Sequence, residues 1–137
     1  ARATAFNQVA NGAPGIELRL PLLWSYGVTT GLLSPERFVA VTSENAARYF
    51  GLFPRKGVLE PGSDADLVIF DPEQKWTVRH EAMHDATDYT QYEGRELTGK
   101  VRDVFLRGRL VVAGGEPVED LAPGQFIACG TPDVTVR

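Results

Sequence analysis

Two histidines in the sequence have the spacing of a zinc-binding pair. His80 and His84 occur in His-Glu-Ala-Met-His, so a helix through this stretch would place both imidazoles on one face. A catalytic zinc site also needs a third protein ligand, and zinc proteases of this type use a long helix with an apolar stripe. The stretch after His84 is polar, with Asp85, Thr87 and Asp88, and offers no credible third ligand. We therefore predict a surface loop here rather than a zinc protease site.

A second group of charged residues lies between positions 55 and 66. Asp64 and Asp66 stand two residues apart at the start of a predicted strand, and we expect their carboxylates to accept backbone N–H bonds in a turn. Arg55 and Lys56 could bind an anion, but the sequence favours a solvated turn or an ion pair with Glu60. The single cysteine, Cys129, has no neighbouring base and is predicted to be an inert thiol.

Asn11-Gly12 is a strong turn signal, because both residues tolerate positive φ. Residues 1–13 are polar and predicted to form a loop, with a plain surface turn as the simplest interpretation of this dipeptide.

Composition indicates a globular protein without a nucleic-acid or membrane partner. The chain has 137 residues, 43% hydrophobic and 23% charged, with a net charge of −4, so it offers no basic surface to attract nucleic acid or anionic lipid. It has no apolar run near the roughly 20 residues of a membrane helix and no signal-like N-terminus. One cysteine fits a reducing compartment. We expect a cytoplasmic protein.

The first part of the chain is predicted to be helical. Residues 14–52 show three short apolar-faced segments in series. The second segment starts at Ser34 with a proline behind it, the third at Ser43, and Gly51 ends the third. Pro21 indicates either a kink or a first turn in the first segment. Trp24 and Tyr26 have helical spacing and are expected to pack in the core, a commoner use of such aromatics than a ligand cage.

The rest of the chain is predicted to contain strands. Leu67 to Phe70 is an apolar run bounded by aspartates, typical of a strand buried on both faces, and a strand is predicted at 66–70. Further strands are predicted at 58–59, 76–78, 101–106 and 109–113, the last two forming a hairpin around Arg107-Gly108. Residues 79–99 are predicted to be a loop with one helical turn.

Several phrases of the sequence resemble the cyclic amidohydrolase superfamily. They are Asn11 to Glu17, Asn45 to Arg48, Pro54 to Gly57, and Gly62 to Val68. The last phrase occurs across the superfamily, whereas Asn-Gly-Ala-Pro-Gly-Ile-Glu and Pro-Arg-Lys-Gly narrow the resemblance to the dihydropyrimidinase and hydantoinase branch. The resemblance covers nearly the whole chain and fades after about residue 126.

The resemblance implies an α/β fold followed by a β segment. Residues 1–53 would supply a loop and the final helices of a (β/α)8 metal-dependent hydrolase barrel. Residues 54–137 would supply the C-terminal strands of the accompanying small β-sandwich domain and a tail. The chain also starts without Met in what resembles the middle of a loop, so we expect it to be a C-terminal piece of a longer, homo-oligomeric protein.

The resemblance assigns one functional residue to this chain. In the family, the backbone carbonyl of an Asn at the position of Asn11 accepts a hydrogen bond from a ring N–H of the cyclic substrate. The family's two metals, expected to be zinc, are held by a His-x-His pair, a carbamylated Lys, two further His and an Asp. None of these ligand motifs occurs here, so this chain alone is predicted to bind no metal and to be inactive.

The resemblance therefore predicts a zinc-dependent hydrolase that opens a cyclic ureide to an N-carbamoyl amino acid. The remaining N-terminal part of the same enzyme would be a necessary partner. A non-catalytic dihydropyrimidinase-like structural or interaction protein is the main alternative. An allantoinase-like or dihydroorotase-like enzyme is less favoured, because Asn11-Gly12 and Pro-Arg-Lys-Gly point to the hydantoinase branch.

Overall fold

Helices come first in the chain and a sheet follows. The computed structural model describes residues 5, 12–119 and 123–136. Its helices are α1 (Arg19–Leu23), continued by a π-helical segment (Trp24–Val28), then α2 (Pro35–Val39), a second π-helical segment (Ala40–Glu44) and α3 (Asn45–Tyr49). The sheet is antiparallel, with strands β1 (Leu67–Thr77), β2 (Glu96–Leu106), β3 (Arg109–Ala113) and β4 (Glu116–Pro117) in that order. Across the described ranges, no helix has the length and apolar character to cross a membrane.

The first helical run, residues 19–28, is fixed to the sheet through one buried hydroxyl. Pro21 lies in the first turn of α1, where a missing N–H costs no intrahelical bond, so the first-turn interpretation holds. One turn later, the Ser25 hydroxyl donates to the carbonyl of Thr98 at 2.7 Å and accepts from the Thr98 N–H at 2.6 Å. This reciprocal pair joins the helical run to β2.

The second helical run is continuous from residue 35 to residue 49, so the helix start predicted at Ser43 is wrong. No proline or glycine interrupts the chain between Pro35 and Gly51, and a π-helical segment carries the helix past Ser43 instead. Where three short helices were predicted, the structure therefore has two helical runs, residues 19–28 and 35–49.

Both ends of this second run agree with the sequence. The Ser34 hydroxyl accepts from the Arg37 N–H at 3.2 Å and caps α2. Gly51, at φ +65°, ends α3, and the following N–H of Leu52 donates to the carbonyl of Ala47 at 2.7 Å. This is the left-handed closure that glycine makes at low cost.

The sheet is longer and more continuous than predicted. The strands expected at 66–70 and 76–78 merge into β1, with an irregularity in the pairing between Asp71 and Lys75. Val58 and Leu59 are not a strand. The Arg107-Gly108 hairpin is confirmed, with φ of +50° and +75°. Gly114 and Gly115 make a second two-residue turn, which leads into β4.

The best-buried apolar side chains come from three different parts of the chain. Leu18, Val78 and Leu97 are each at most 1% exposed and form one cluster. Beside it, Trp24 packs against Phe38 and Phe70 with ring centroids 5.3 Å apart in both pairs. The core therefore lies where the first helical run packs on β2, with Phe70 and Trp76 of β1 beside it.

Two predictions of burial are wrong. Val68 and Ile69 are 48% and 38% exposed, and they lie in β1, an edge strand of the sheet. Tyr26 is 46% exposed, although Trp24 packs as expected. The apolar run therefore predicted the strand correctly, but it did not predict how far the strand is buried.

Candidate functional site

The segment 12–17, defined here as the entry segment, leads into α1. Gly12 and Gly15 have φ of +108° and +136°, so the backbone bends twice within four residues. Asn11, the predicted substrate-binding residue, lies outside the described residues, and the structure does not test its role. The described part of the site therefore begins at Gly12.

Residues 84–92 form a loop that contacts the entry segment, and we call it the bracing loop. Gln91 Nε2 donates to the carbonyl of Pro14 at 2.6 Å, and the Tyr89 hydroxyl makes a longer contact of 3.5 Å to the carbonyl of Gly12. A Cβ at Gly15 would lie 3.1 Å from Tyr92 Cε2, so only glycine permits this approach without displacement. The two segments are thus in contact although they lie far apart in the chain.

A second contact joins the far end of the entry segment to the bracing loop. Both Glu17 carboxylate oxygens face His84, one accepting from its backbone N–H at 3.0 Å and the other 2.9 Å from Nδ1. The other ring nitrogen of His84 lies 3.0 Å from a carboxylate oxygen of Glu116 in β4. Hydrogen bonds from Glu116 and then Glu17 raise the pKa of His84 above its ordinary value. We call these three residues the histidine clamp.

The His-Glu-x-x-His pattern does not form a helix that carries both imidazoles. Only His80–Ala82 form a short 3₁₀ turn, and His84 lies beyond it. His80 Nε2 lies 2.7 Å from the carbonyl of Thr87, whereas His84 is held in the clamp. Within residues 5, 12–119 and 123–136, no three His, Cys, Asp or Glu side chains are placed to hold a metal ion. The predicted surface loop describes this stretch better than the zinc pattern does.

An open cavity of about 550 Å³ lies beside the bracing loop. Two of its charged lining residues pair with each other, since Glu93 lies 3.3 Å from Arg79 and also accepts from the His80 N–H at 2.7 Å. The hydrogen bond from the His80 backbone, followed by the interaction with Arg79, lowers the pKa of Glu93. This arrangement joins the residues that precede the bracing loop to the residue that follows it.

The charged residues at 55–66 form a cluster of their own, the turn cluster. Asp64 pairs with Arg55 at 3.0 Å and with Lys56 at 2.9 Å, and Lys56 also contacts Asp66. The ion pair predicted with Glu60 is therefore wrong, because the basic residues pair with Asp64 and Asp66 instead. Asp66 accepts a backbone N–H at 2.8 Å, as predicted for this carboxylate, but the donor is the distant Arg107 of the hairpin turn.

The pKa values in the turn cluster follow from these contacts. Hydrogen bonds from Lys56 and then Arg55 lower the pKa of Asp64. Burial alone would lower the pKa of Lys56, but its bonds to Asp66 and Asp64 outweigh that effect and raise it. The cluster is satisfied by its own charges and is structural rather than an anion site. Cys129 is an exposed free thiol.

Sequence reasoning missed the histidine clamp and the Gln91 contact. His84 is 67 residues from Glu17 and 32 from Glu116, and Gln91 is 77 residues from Pro14. No periodicity or local motif links residues at such separations. The one sequence feature that could have indicated these contacts is Gly15, because glycine is the residue that permits close approach of another segment.

A family model described as the amidohydrolase family matches residues 4–111. The chain belongs to the amidohydrolase family. The curated D-phenylhydantoinase of Escherichia coli O127:H6 (strain E2348/69 / EPEC) is 44% identical over 122 residues, 89% of this chain and 26% of that protein. The chain therefore spans about a quarter of the length of the curated relatives it matches. The resemblance seen in the sequence to the hydantoinase and dihydropyrimidinase branch is confirmed.

Solved structures of this amidohydrolase branch share the described fold. The D-hydantoinase from Bacillus sp. AR9 aligns with a TM-score of 0.79 at 47% identity, covering 82% of this chain and 25% of that one. A protein described as the L-hydantoinase (dihydropyrimidinase) of Arthrobacter aurescens aligns with a TM-score of 0.76 at 38% identity. This alignment covers 80% of this chain and 24% of that one. Proteins named as a D-hydantoinase and as an L-hydantoinase therefore both contain a segment similar to this chain.

Proposed function

We propose that this chain is the C-terminal segment of a hydrolase that opens the ring of a cyclic ureide. Hydrolysis of the ring amide C–N bond of a five- or six-membered substrate would give an N-carbamoyl amino acid. The single observation that carries this proposal is the 44% identity over 122 residues to a D-phenylhydantoinase. The amidohydrolase family model, which matches residues 4–111, spans both the entry segment and the turn cluster.

In this proposal the two parts of the chain have different tasks. Residues 1–53 contribute a loop and the helices that close a (β/α)8 barrel, and residues 54–137 contribute strands of the small β-sandwich domain. The backbone carbonyl of Asn11 accepts a hydrogen bond from a ring N–H of the substrate. The described backbone supports this role indirectly, because Gly12 and Gly15 adopt the bent conformations that a close backbone approach requires.

The amidohydrolase family is metal-dependent, and we propose two zinc ions for the assembled enzyme. The described residues do not fit such a centre, since no three of their potential ligands converge. The ligands would therefore come from other parts of the protein, and this chain would contribute substrate binding rather than metal chemistry. We also propose a cytoplasmic homo-oligomer.

The test begins with the longest natural open reading frame that carries this sequence. The purified product, supplied with zinc, should hydrolyse hydantoin or dihydrouracil, and elemental analysis should find bound divalent metal. The 137-residue chain alone should do neither. Failure of the metal-loaded product to hydrolyse any cyclic ureide would favour the non-catalytic alternative, whereas selective hydrolysis of allantoin or dihydroorotate would move the protein to a different branch.

A further inference from the structure

The backbone of the entry segment is held partly by local hydrogen bonds and partly by a side chain from a distant part of the chain. The Leu18 N–H bonds to the carbonyl of Gly15 at 3.1 Å, which starts the turn into α1. Before that turn, the carbonyl of Pro14 accepts the 2.6 Å bond from Gln91 Nε2, a side chain from a distant part of the chain. The path of the segment therefore depends on the bracing loop as well as on its own sequence.

The bracing loop is itself fixed to the rest of the molecule. Tyr92 packs against the cluster of Leu18, Val78 and Leu97. The N–H of Gly94, two residues after Tyr92, donates to the carbonyl of Val78 at 2.9 Å. Thr90 is buried, and its hydroxyl oxygen accepts from the Tyr92 N–H at 3.3 Å. Gln91 thus donates from a backbone that is held on both sides.

We propose that Gln91 is a positioning residue for substrate binding in this protein. Its amide holds the carbonyl of Pro14, and Pro14 lies three residues after Asn11 in the sequence. Gly15 permits the close approach of Tyr92 that brings Gln91 within reach. The inference rests on the proposed substrate role of Asn11. Gln91 acts through the backbone of the entry segment and does not itself contact the substrate.

A positioning role makes a specific kinetic prediction. A hydrogen bond from a ring N–H to a backbone carbonyl that forms in the ground state and persists in the transition state contributes uniform binding, and loss of such binding raises KM while kcat is unchanged. Gln91→Glu keeps the size of the side chain but replaces the donor with an oxygen that repels the carbonyl of Pro14. We expect KM to rise roughly fivefold, with kcat within about twofold of wild type.

The matched control is Gln74→Glu, the same change at an exposed position in β1. Hydrogen exchange measured on peptides covering residues 12–19 supplies a second readout that is independent of catalysis. The Leu18 amide should exchange faster in Gln91→Glu than in wild type or in the control. Gln91→Lys, which keeps an N–H donor, should restore most of the lost affinity.

Each outcome of this experiment decides the proposal. Equal KM values for the Gln91→Glu and Gln74→Glu proteins, or a parallel fall in kcat, would overturn it. If Gln91→Glu does not fold, Gln91→Ala and Gln74→Ala give the same comparison without an added charge. If the wild-type protein hydrolyses no cyclic ureide, the proposed function fails separately. The exchange measurement then still decides whether Gln91 fixes the entry segment, and unchanged exchange would overturn that claim.

Discussion

The turn cluster and the histidine clamp are both small groups of charged side chains, yet they differ in how the chain builds them. Arg55, Lys56, Asp64 and Asp66 lie within twelve consecutive positions, and the side chain of Lys56 is 17% exposed. The clamp joins three distant segments, and its carboxylates at Glu17 and Glu116 are 38% and 79% exposed. Charge pairs that are less exposed and cooperate in a network contribute more to stability than exposed pairs do.

The same comparison separates the two groups by task. The turn cluster fixes the start of β1 to the Arg107 hairpin through Asp66, whereas the clamp fixes the entry segment to the bracing loop and β4. We therefore expect disruption of the first group to affect folding stability, and disruption of the second to affect mainly the local order beside the candidate site.

The largest effect should follow from Asp66→Ala. The substitution leaves the Arg107 N–H without its acceptor and removes one of the two carboxylates at Lys56. Loss of a part-buried acceptor costs about 2–3 kcal/mol of unfolding free energy, measured by urea denaturation. The control is Glu60→Ala, the partner that the sequence suggested, which should change stability by less than about 0.5 kcal/mol. Equal losses for the two variants would show that the turn cluster has no structural role.

Acid should weaken the turn cluster. The pKa of Asp64 is lowered from its ordinary value of 3.8 by hydrogen bonds from Lys56 and then Arg55. A lowered folded-state pKa gives stability that is present above pH 3.8 and is lost as the pH falls through the folded-state pKa. Wild type should therefore be more stable than Asp64→Asn above this range, and the difference should close in acid. A difference that does not depend on pH would contradict the assignment.

The histidine clamp should respond to pH in the opposite direction. The pKa of His84 is raised above 6.5 by Glu116 and then Glu17, so its stabilising effect is complete below pH 6.5 and is lost as the pH rises through the folded-state pKa. Because the partners are exposed, the effect should stay below about 1 kcal/mol. Urea denaturation of wild type and His84→Gln at pH values from below 6.5 upward measures the difference in unfolding free energy. A difference that grows with rising pH would exclude the clamp.

The smallest effect should separate the two carboxylates of the clamp. Glu17 receives the backbone N–H of His84 as well as its ring, while Glu116 contacts only the ring and is far more exposed. We expect Glu17→Gln to increase hydrogen exchange of the bracing loop and Glu116→Gln to change it little. The reverse order would mean that β4, rather than the entry segment, holds His84.

Much of the local structure could be predicted because local chemistry decides it. Ser34 caps its helix with an N–H three residues away, Gly51 closes the same run, and Arg107-Gly108 makes a two-residue hairpin. The family was also evident from short phrases of the sequence. Ser43 shows the limit of this reasoning, since a capping residue starts a helix only where the preceding residues are not already helical.

The sequence by itself therefore determined the Ser34 cap, the helix end at Gly51, the Arg107-Gly108 turn, the strand at Leu67 to Phe70 and the family, because these depend on residues that are neighbours in the chain. Only the tertiary structure decided that Val68 and Ile69 are exposed, that Asp66 holds Arg107, and that Gln91 reaches Pro14. The physical reason is that burial and long-range hydrogen bonds depend on which segments lie side by side. That proximity is a property of the folded chain, and no stretch of sequence contains it.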